Sequence, residues 1–263
     1  MSDQLRLGIS AREQRRVSFT ELAVFLRCGL EYYERFRRAD SRGSSERGGT
    51  RLYAGQAVHA ALARWFRERS QRDSQPQDVR WIFDDAWSRY PFPNSAETDV
   101  LQRSLAHALV RYVEAHAPRS APVMVERTIK GRLGDFLLVG KVDRVDQIET
   151  GGLHIIDYKL EDYQTEAPGE MELQRDFYAV AFESDLKVVP ERIIFSFVTT
   201  GECVSFPSNA AMIADAKVNI QRILDRMPQV ESFEPSPNPL CRECGVSPSR
   251  CAYSGSFQRS GGA

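Results

Sequence analysis

The chain has 263 residues, 42% of them hydrophobic and 27% charged, with 35 Lys and Arg against 36 Asp and Glu for a formal net charge of −1. These values exclude a disordered or collagen-like chain, and no apolar run approaches the roughly 20 residues of a membrane-spanning helix. The near-neutral charge does not advertise a nucleic-acid binder, so any such binding must use a local patch.

In chain order, residues 1–17 lack the apolar stretch of a secretory leader, and a cytoplasmic chain is expected. Ser18-Phe19-Thr20-Glu21 has capping-box spacing and predicts a helix to about Phe36, with Leu22, Phe25, Leu26 and Tyr33 along one side. Residues 40–50 are polar and rich in Gly and Ser and read as a loop. Further helices are predicted over Leu52–Arg69, near Val79–Tyr90 and over Glu97–Ala115. At Ala121 the pattern changes to strand-like runs: Val123–Lys130, Phe136–Gln147 and Leu153–Leu160, with turns at Gly131–Gly134 and Glu149–Gly152. A helix over Glu170–Phe182, strands Arg192–Thr199 and Glu202–Phe206, and a helix over Asn209–Met227 follow. The remainder is rich in Pro, Ser, Gly and Cys and needs something other than a core to order it. The expected organisation is α/β: a helical lobe over residues 1–120, a mixed-sheet core over 121–230 and a Cys-rich tail over 231–263.

Charge is segregated along this plan. Residues 1–51 hold eleven arginines against seven acids, and residues 143–185 hold twelve acids against three bases. A segment that acidic is compacted more easily with cations, metal ions among them, although a solvated acidic face has the same composition.

Four small motifs carry the chemistry. Asp157 and Lys159 lie two apart at the end of an apolar strand, so their side chains share a side, as an ion pair or as a reactive pair. Gly140-x-x-Asp143-Arg144-x-Asp146 lies on the preceding strand. Mirroring about the Glu149–Gly151 turn sets Asp143 almost opposite Asp157, and two facing carboxylates repel unless protonated or bridged by a cation. Oxygen ligands select a hard ion such as Mg²⁺ or Mn²⁺. Gly55-x-x-x-His59 and Gln174-x-x-x-Tyr178 each place two residues on one helix face, and Gly55 is expected to let that face approach another backbone. Alone, His59 reads equally as a partnered interior histidine, and Gln174 with Tyr178 as a half-exposed polar pair.

In this order and spacing the motifs resemble the RecB-like branch of the PD-(D/E)xK nucleases, over about Ser18 to Cys251. The resemblance implies a restriction-endonuclease-like α/β core. It implies that His59, Asp143, Asp157 and the Tyr158 backbone carbonyl hold a catalytic Mn²⁺ or Mg²⁺, with Lys159, Gln174 and Tyr178 completing the catalytic set. The family's Pro before the first Asp is Val142 here, and Glu126 matches a position that is acidic in some relatives. The implied activity is metal-dependent hydrolysis of DNA, leaving a 5′-phosphate, most directly at single-stranded ends. The implied setting is DNA repair, recombination or CRISPR adaptation, with a helicase or CRISPR integrase acting in trans. No G-x-x-x-x-G-K-[ST] run is present, so unwinding must come from such a partner. The alternative is a non-catalytic subunit that uses the fold to grip DNA.

Cys28, Cys241, Cys244 and Cys251 read as a metal site before disulfides, and their chemistry alone suits either Zn²⁺ or a 4Fe–4S cluster. AddB-type and CRISPR-associated RecB-like exonucleases carry one Cys before the His motif and three near the C-terminus. That resemblance implies a 4Fe–4S cluster that clasps the two ends of the chain; with zinc and no chemistry, the chain would be a nucleic-acid-binding protein. Cys203 is expected to pack within a strand. Arg35, Arg38 and Arg51, close to Tyr32, Tyr33 and Phe36, are candidate DNA contacts, with arginines tracking phosphates and rings stacking on bases. A solvated face of an ordinary amphipathic helix has the same pattern.

Overall fold

The computed structural model describes residues 14–38, 49–69, 75–117, 121–160, 169–229 and 233–255. Its elements are β1 (Arg15–Val17), α1 (Phe19–Arg27), α2 (Gly29–Tyr32) continued by a π-turn over Tyr33–Arg37, α3 (Thr50–Arg69), α4 (Asp78–Trp87), α5 (Ala96–His116), β2 (Met124–Leu133), β3 (Phe136–Gln147), β4 (Leu153–Lys159), α6 (Glu170–Leu186), β5 (Arg192–Phe197), β6 (Cys203–Pro207) and α7 (Ala210–Arg226). Short 3-10 turns follow at Met227–Gln229 and Pro239–Glu243.

Local chemistry sets several boundaries. The Ser18 hydroxyl accepts from the Glu21 N–H at 3.1 Å and opens α1, and Ser95 and Asn209 cap α5 and α7 in the same way. The single helix expected to Phe36 is broken at Cys28, whose backbone is extended at φ −156° and ψ 114°. Cys28 therefore sits at the joint between two helices. Gly29 begins the second beside the backbone of Glu234, where a Cβ would lie 3.4 Å from the carbonyl oxygen. The sequence pattern also missed β1, which is too short at three residues to show a period of two.

The strands form one sheet in the order β1-β3-β4-β5-β6, with β2 also paired to β3. β2 runs antiparallel along one edge of β3, from Phe136 to Val145. The other edge is divided: β1 lies parallel to Phe136–Leu138, and β4 lies antiparallel to Arg144–Gln147. β4 pairs parallel with β5, and β5 antiparallel with β6.

Each face of the sheet carries its own core. Phe177, Phe182 and Ile220 of α6 and α7 pack with Ile155, Ile193, Phe195 and Phe197 on one face, joined by Leu22 of α1. Trp65, Phe66, Phe83, Leu109 and Tyr112 of α3, α4 and α5 pack with Ile156, Tyr158 and Val198 on the other. The adjacent residues Ile155 and Ile156 enter different cores, as alternation along a strand requires. The helices that precede the β2–β4 strands thus share cores with the sheet.

Two glycines bring α6 down onto β2 and β3. A Cβ on Gly131 would lie 2.5 Å from Ala181 Cα, and one on Gly140 would lie 3.3 Å from the Phe177 ring. Residues 233–255 form no separate Cys-rich body and lie back against α2 and its π-turn. The Phe233 and Tyr33 rings are 4.7 Å apart, and the Arg250 guanidinium lies 2.6 Å from Glu34.

Candidate active site and metal centre

The site forms where the sheet opens. Pairing of β3 with β4 stops at Arg144 opposite Ile156, and the same register carried one residue further sets Asp143 opposite Asp157. On the other edge, Val125 faces Arg144 and Arg127 faces Val142, which leaves Glu126 opposite Asp143 with the ladder interrupted between them. Glu126 is in left-handed backbone, φ +54°. A side chain held there costs on the order of 1–3 kcal/mol, and such strain gathers at functional sites.

Three elements converge at this gap. Glu126 of β2, Asp143 of β3 and His59 of α3 each bring one donor atom to within 4.8 Å of the others. His59 Nδ1 lies 3.0 Å from Asp143 Oδ1, and the Tyr158 N–H donates to Asp143 Oδ2 at 2.8 Å. The Tyr158 ring packs edge-on to His59 at 5.8 Å, so this residue steadies both groups. Beneath it, Arg144 is buried over the Phe66 ring at 4.4 Å and is paired to Asp146 at 3.2 Å. The Lys141 ammonium binds the Glu126 carboxylate at the exposed side of the cluster.

Burial sets the protonation of the pair. It drives the Asp143 carboxyl pKa up, and the neighbouring His59 only partly reverses this, so the pKa stands above the usual carboxylate range. Burial alone would lower the His59 pKa, but the Asp143 and Asp157 carboxylates outweigh it and hold the imidazole above its ordinary value. Both shifts favour a proton shared between Asp143 and His59 in the ion-free site.

Asp157 is held by a second set of partners. Its Oδ1 lies 2.8 Å from Tyr178 Oη and 3.2 Å from Gln174 Nε2, and its Oδ2 lies 3.3 Å from Lys159 Nζ. Lys159 also donates to Gln174 Oε1 at 2.7 Å. Burial and the nearby carboxylates push the Tyr178 pKa well up, so its phenol stays protonated as a donor. The structure therefore joins Asp157, Lys159, Gln174 and Tyr178 in one network beside the His59–Glu126–Asp143 cluster. Asp157 is not part of the three-atom grouping.

One nitrogen and two carboxylates, drawn together at the cost of a strained backbone, fit a divalent metal ion. The model of the PD-(D/E)XK nuclease superfamily matches residues 16–252. The chain belongs to that superfamily. Among solved structures, a candidate exonuclease from Eubacterium rectale aligns with a TM-score of 0.51 at 12% identity, over 94% of each chain. That likeness supports the fold alone. The structure of SSO0001 aligns with a TM-score of 0.41 at 13% identity, over 91% of this chain and 88% of that one, and carries no argument. No curated protein matches.

Cys28, Cys241, Cys244 and Cys251 line one cavity together with Glu31, Pro235 and Tyr253. Cys28, Cys241 and Cys251 are buried, and no disulfide joins any of the four. Backbone N–H groups point at two of the sulfurs: Ser236 donates to Cys28 Sγ and Asn238 to Cys241 Sγ, each at 3.4 Å. Among the described residues, no three of these sulfurs come within 4.8 Å of one another. Cys203 lies elsewhere, exposed on β6, with its Sγ 3.2 Å from Ser196 Oγ.

Cys203, expected to pack within its strand, is instead exposed there. Tyr32 is wholly buried against Phe25 and Phe36, so its ring serves packing, and Tyr33 lies tilted against Phe233. Arg35 and Arg38 are paired to Glu31 at 3.1 Å and Glu34 at 3.0 Å; Arg51 is exposed on the first turn of α3. Gly55 meets no backbone: no heavy atom would lie within 4 Å of a Cβ there.

Proposed function

We propose that the protein is a metal-dependent deoxyribonuclease that trims single-stranded DNA ends and leaves 5′-phosphates. The observation that carries this reading is the His59–Glu126–Asp143 donor cluster beside the Asp157–Lys159 pair, in a chain of the PD-(D/E)XK superfamily.

The ion would be held by His59, Glu126 and Asp143, with Asp157 and the Tyr158 carbonyl completing its shell; when bound it supplies an acidic water and a counter-charge for phosphate. Mn²⁺ suits the imidazole ligand, and Mg²⁺ suits the carboxylates. Tyr158 fixes Asp143 through its N–H, while Tyr178 and Gln174 fix Asp157. Lys159, held between Asp157 and Gln174, would place its ammonium to steady the attacking water or the charge that grows on the phosphoryl oxygens. Water oxygen would bond to phosphorus as the bond to the 3′ oxygen breaks; the proton given up by the water ends on that 3′ oxygen, and the phosphate stays on the 5′ end of the downstream piece.

The four-cysteine cavity supports a structural 4Fe–4S cluster. Backbone N–H groups aimed at two of the sulfurs are the kind of donors that hold cluster ligands in place. A cytoplasmic setting, where thiols stay reduced, agrees with this donor set. Because the site lacks a motor, a helicase or CRISPR integrase working on repair or adaptation substrates is the fitting partner.

The test is cleavage of end-labelled single-stranded DNA by anaerobically purified protein in Mn²⁺, Mg²⁺ or EDTA, with Asp157→Ala as control. Metal-dependent products absent from Asp157→Ala support the reading, and their label pattern gives the polarity. A folded, brown protein that cleaves nothing would point to the non-catalytic DNA-gripping subunit.

A further inference from the structure

We propose that the cleft between β1 and the π-turn is an anion site, in which Arg16 and Arg37 hold a backbone phosphate of the substrate strand remote from the cleaved bond. This rests on the nuclease reading above and adds a second anchoring point to it.

The cleft is lined by Arg15, Arg16, Glu21, Phe36 and Arg37. Its five side chains differ sharply in their commitments. Arg15 is tied inward, to Glu21 at 2.8 Å and to the Tyr32 hydroxyl at 2.7 Å. Glu21 is answered at close range by Arg15; burial raises its carboxyl pKa, and the charges of Arg15 and, more weakly, Arg37 pull it back down. Arg16 and Arg37 are exposed, and among the described residues neither has a carboxylate within 4.0 Å. Arg35 and Arg38 on the same turn are instead held by Glu31 and Glu34.

The backbone makes this division. Over Tyr33–Arg37 the helix widens to a π-turn, closed by the Arg38 N–H on the Tyr33 carbonyl at 2.9 Å. Such turns recur at functional positions. Two exposed planar guanidiniums with no carboxylate within salt-bridge distance among the described residues, lining one cleft, suit phosphate oxygens of a single strand.

The sheet fixes the reach. β1 pairs with β3 at Arg16 opposite Leu137, six residues before Asp143 on the same strand. At about 3.3 Å per residue the separation along β3 is about 20 Å. A stacked strand advancing about 3.4 Å per nucleotide spans that distance in about six nucleotides. A stacked oligonucleotide shorter than this cannot use both sites.

The test measures binding of a fluorescein-labelled single-stranded 20-mer and 5-mer across a NaCl series, in the full-length chain carrying Asp157→Ala. Adding Arg16→Ala and Arg37→Ala should weaken the 20-mer about tenfold, reduce the log–log salt slope by about 1.4, and leave the 5-mer unchanged. Arg16→Lys with Arg37→Lys should keep the slope. Arg80→Ala with Arg111→Ala, which removes two charges from exposed helical positions, is the control for net charge. Unchanged 20-mer binding, or an equal loss in the control pair, overturns the proposal. Cleavage by the parent chain is scored separately: lost 20-mer binding with no cleavage by the parent would keep the cleft and sink the nuclease reading.

Discussion

Gly131→Ala tests how the fold positions Asp157. The new Cβ would lie 2.5 Å from Ala181 Cα and 2.7 Å from its carbonyl oxygen, where ordinary contact begins near 3.4 Å. Backbone on both sides leaves α6 to move about 1 Å off β2, and overpacking of this kind costs about 1–3 kcal/mol. A melting temperature lower by about 2–4 °C per kcal/mol should follow. Tyr178 lies one turn from Ala181, so the same shift stretches its 2.8 Å contact to Asp157 beyond hydrogen-bonding range. Losing a hydrogen bond to a charged group costs about 1.5–3 kcal/mol, which corresponds to a roughly 10- to 100-fold fall in cleavage rate. Thermal denaturation and single-turnover cleavage read the two effects. Gly55→Ala is the counterpart: with open space around it, a helix-interior Ala should stabilise the fold by about 0.5–1 kcal/mol. Gly131→Ala with the parent's melting temperature and full turnover would refute the link between this close approach and the site.

Three further outcomes follow from the geometry. Glu126→Gln keeps the side chain's size and strain but removes a negative ligand, so Mn²⁺ affinity by calorimetry should fall at least about tenfold; Glu126→Gly should lose affinity equally yet recover about 1 kcal/mol of folding stability as the left-handed strain is relieved. The raised pKa values of His59 and Asp143 mean that the folded, ion-free protein binds more protons than the unfolded chain, so this contribution to stability is present at low pH and lost as pH rises through the folded values. Because a ligating imidazole must be deprotonated, Mn²⁺ should raise the melting temperature more at pH 8 than at pH 6; the opposite order would contradict the shared proton. Cys244→Ala should lower iron content and solubility after anaerobic purification, whereas Cys203→Ala should change neither.

Hairpin symmetry made much of the sheet legible. Mirroring about the Glu149–Gly151 turn aligns Asp143 with Asp157, and the observed register continues to that pair. The same arithmetic about Gly134 and Asp135 aligns Glu126 with Asp143, a stronger sign of Glu126 than its match to relatives. Its positive φ was invisible, because no residue-type signal marks a glutamate forced into left-handed backbone. The Cys28 joint was hidden by apolar spacing that runs smoothly across it, while Gly29 and a chain segment two hundred residues away decide the break. Tyr32 and Phe36 looked like stacking rings because periodicity cannot distinguish a ring facing solvent from one covered by Phe233. Arg35 and Arg38 carried their neutralising partners four residues earlier, at Glu31 and Glu34, a spacing already present in the sequence.

The most direct measurement is Mn²⁺ occupancy and single-turnover cleavage of end-labelled single-stranded DNA on the same samples of the parent chain and Asp143→Asn. Cleavage by the parent should rise in step with one bound ion per chain, and Asp143→Asn should lose both the ion and the cleavage while keeping its fold. Cleavage that persists in Asp143→Asn, or that does not track the bound ion in the parent, would place the chemistry outside the His59–Glu126–Asp143 cluster.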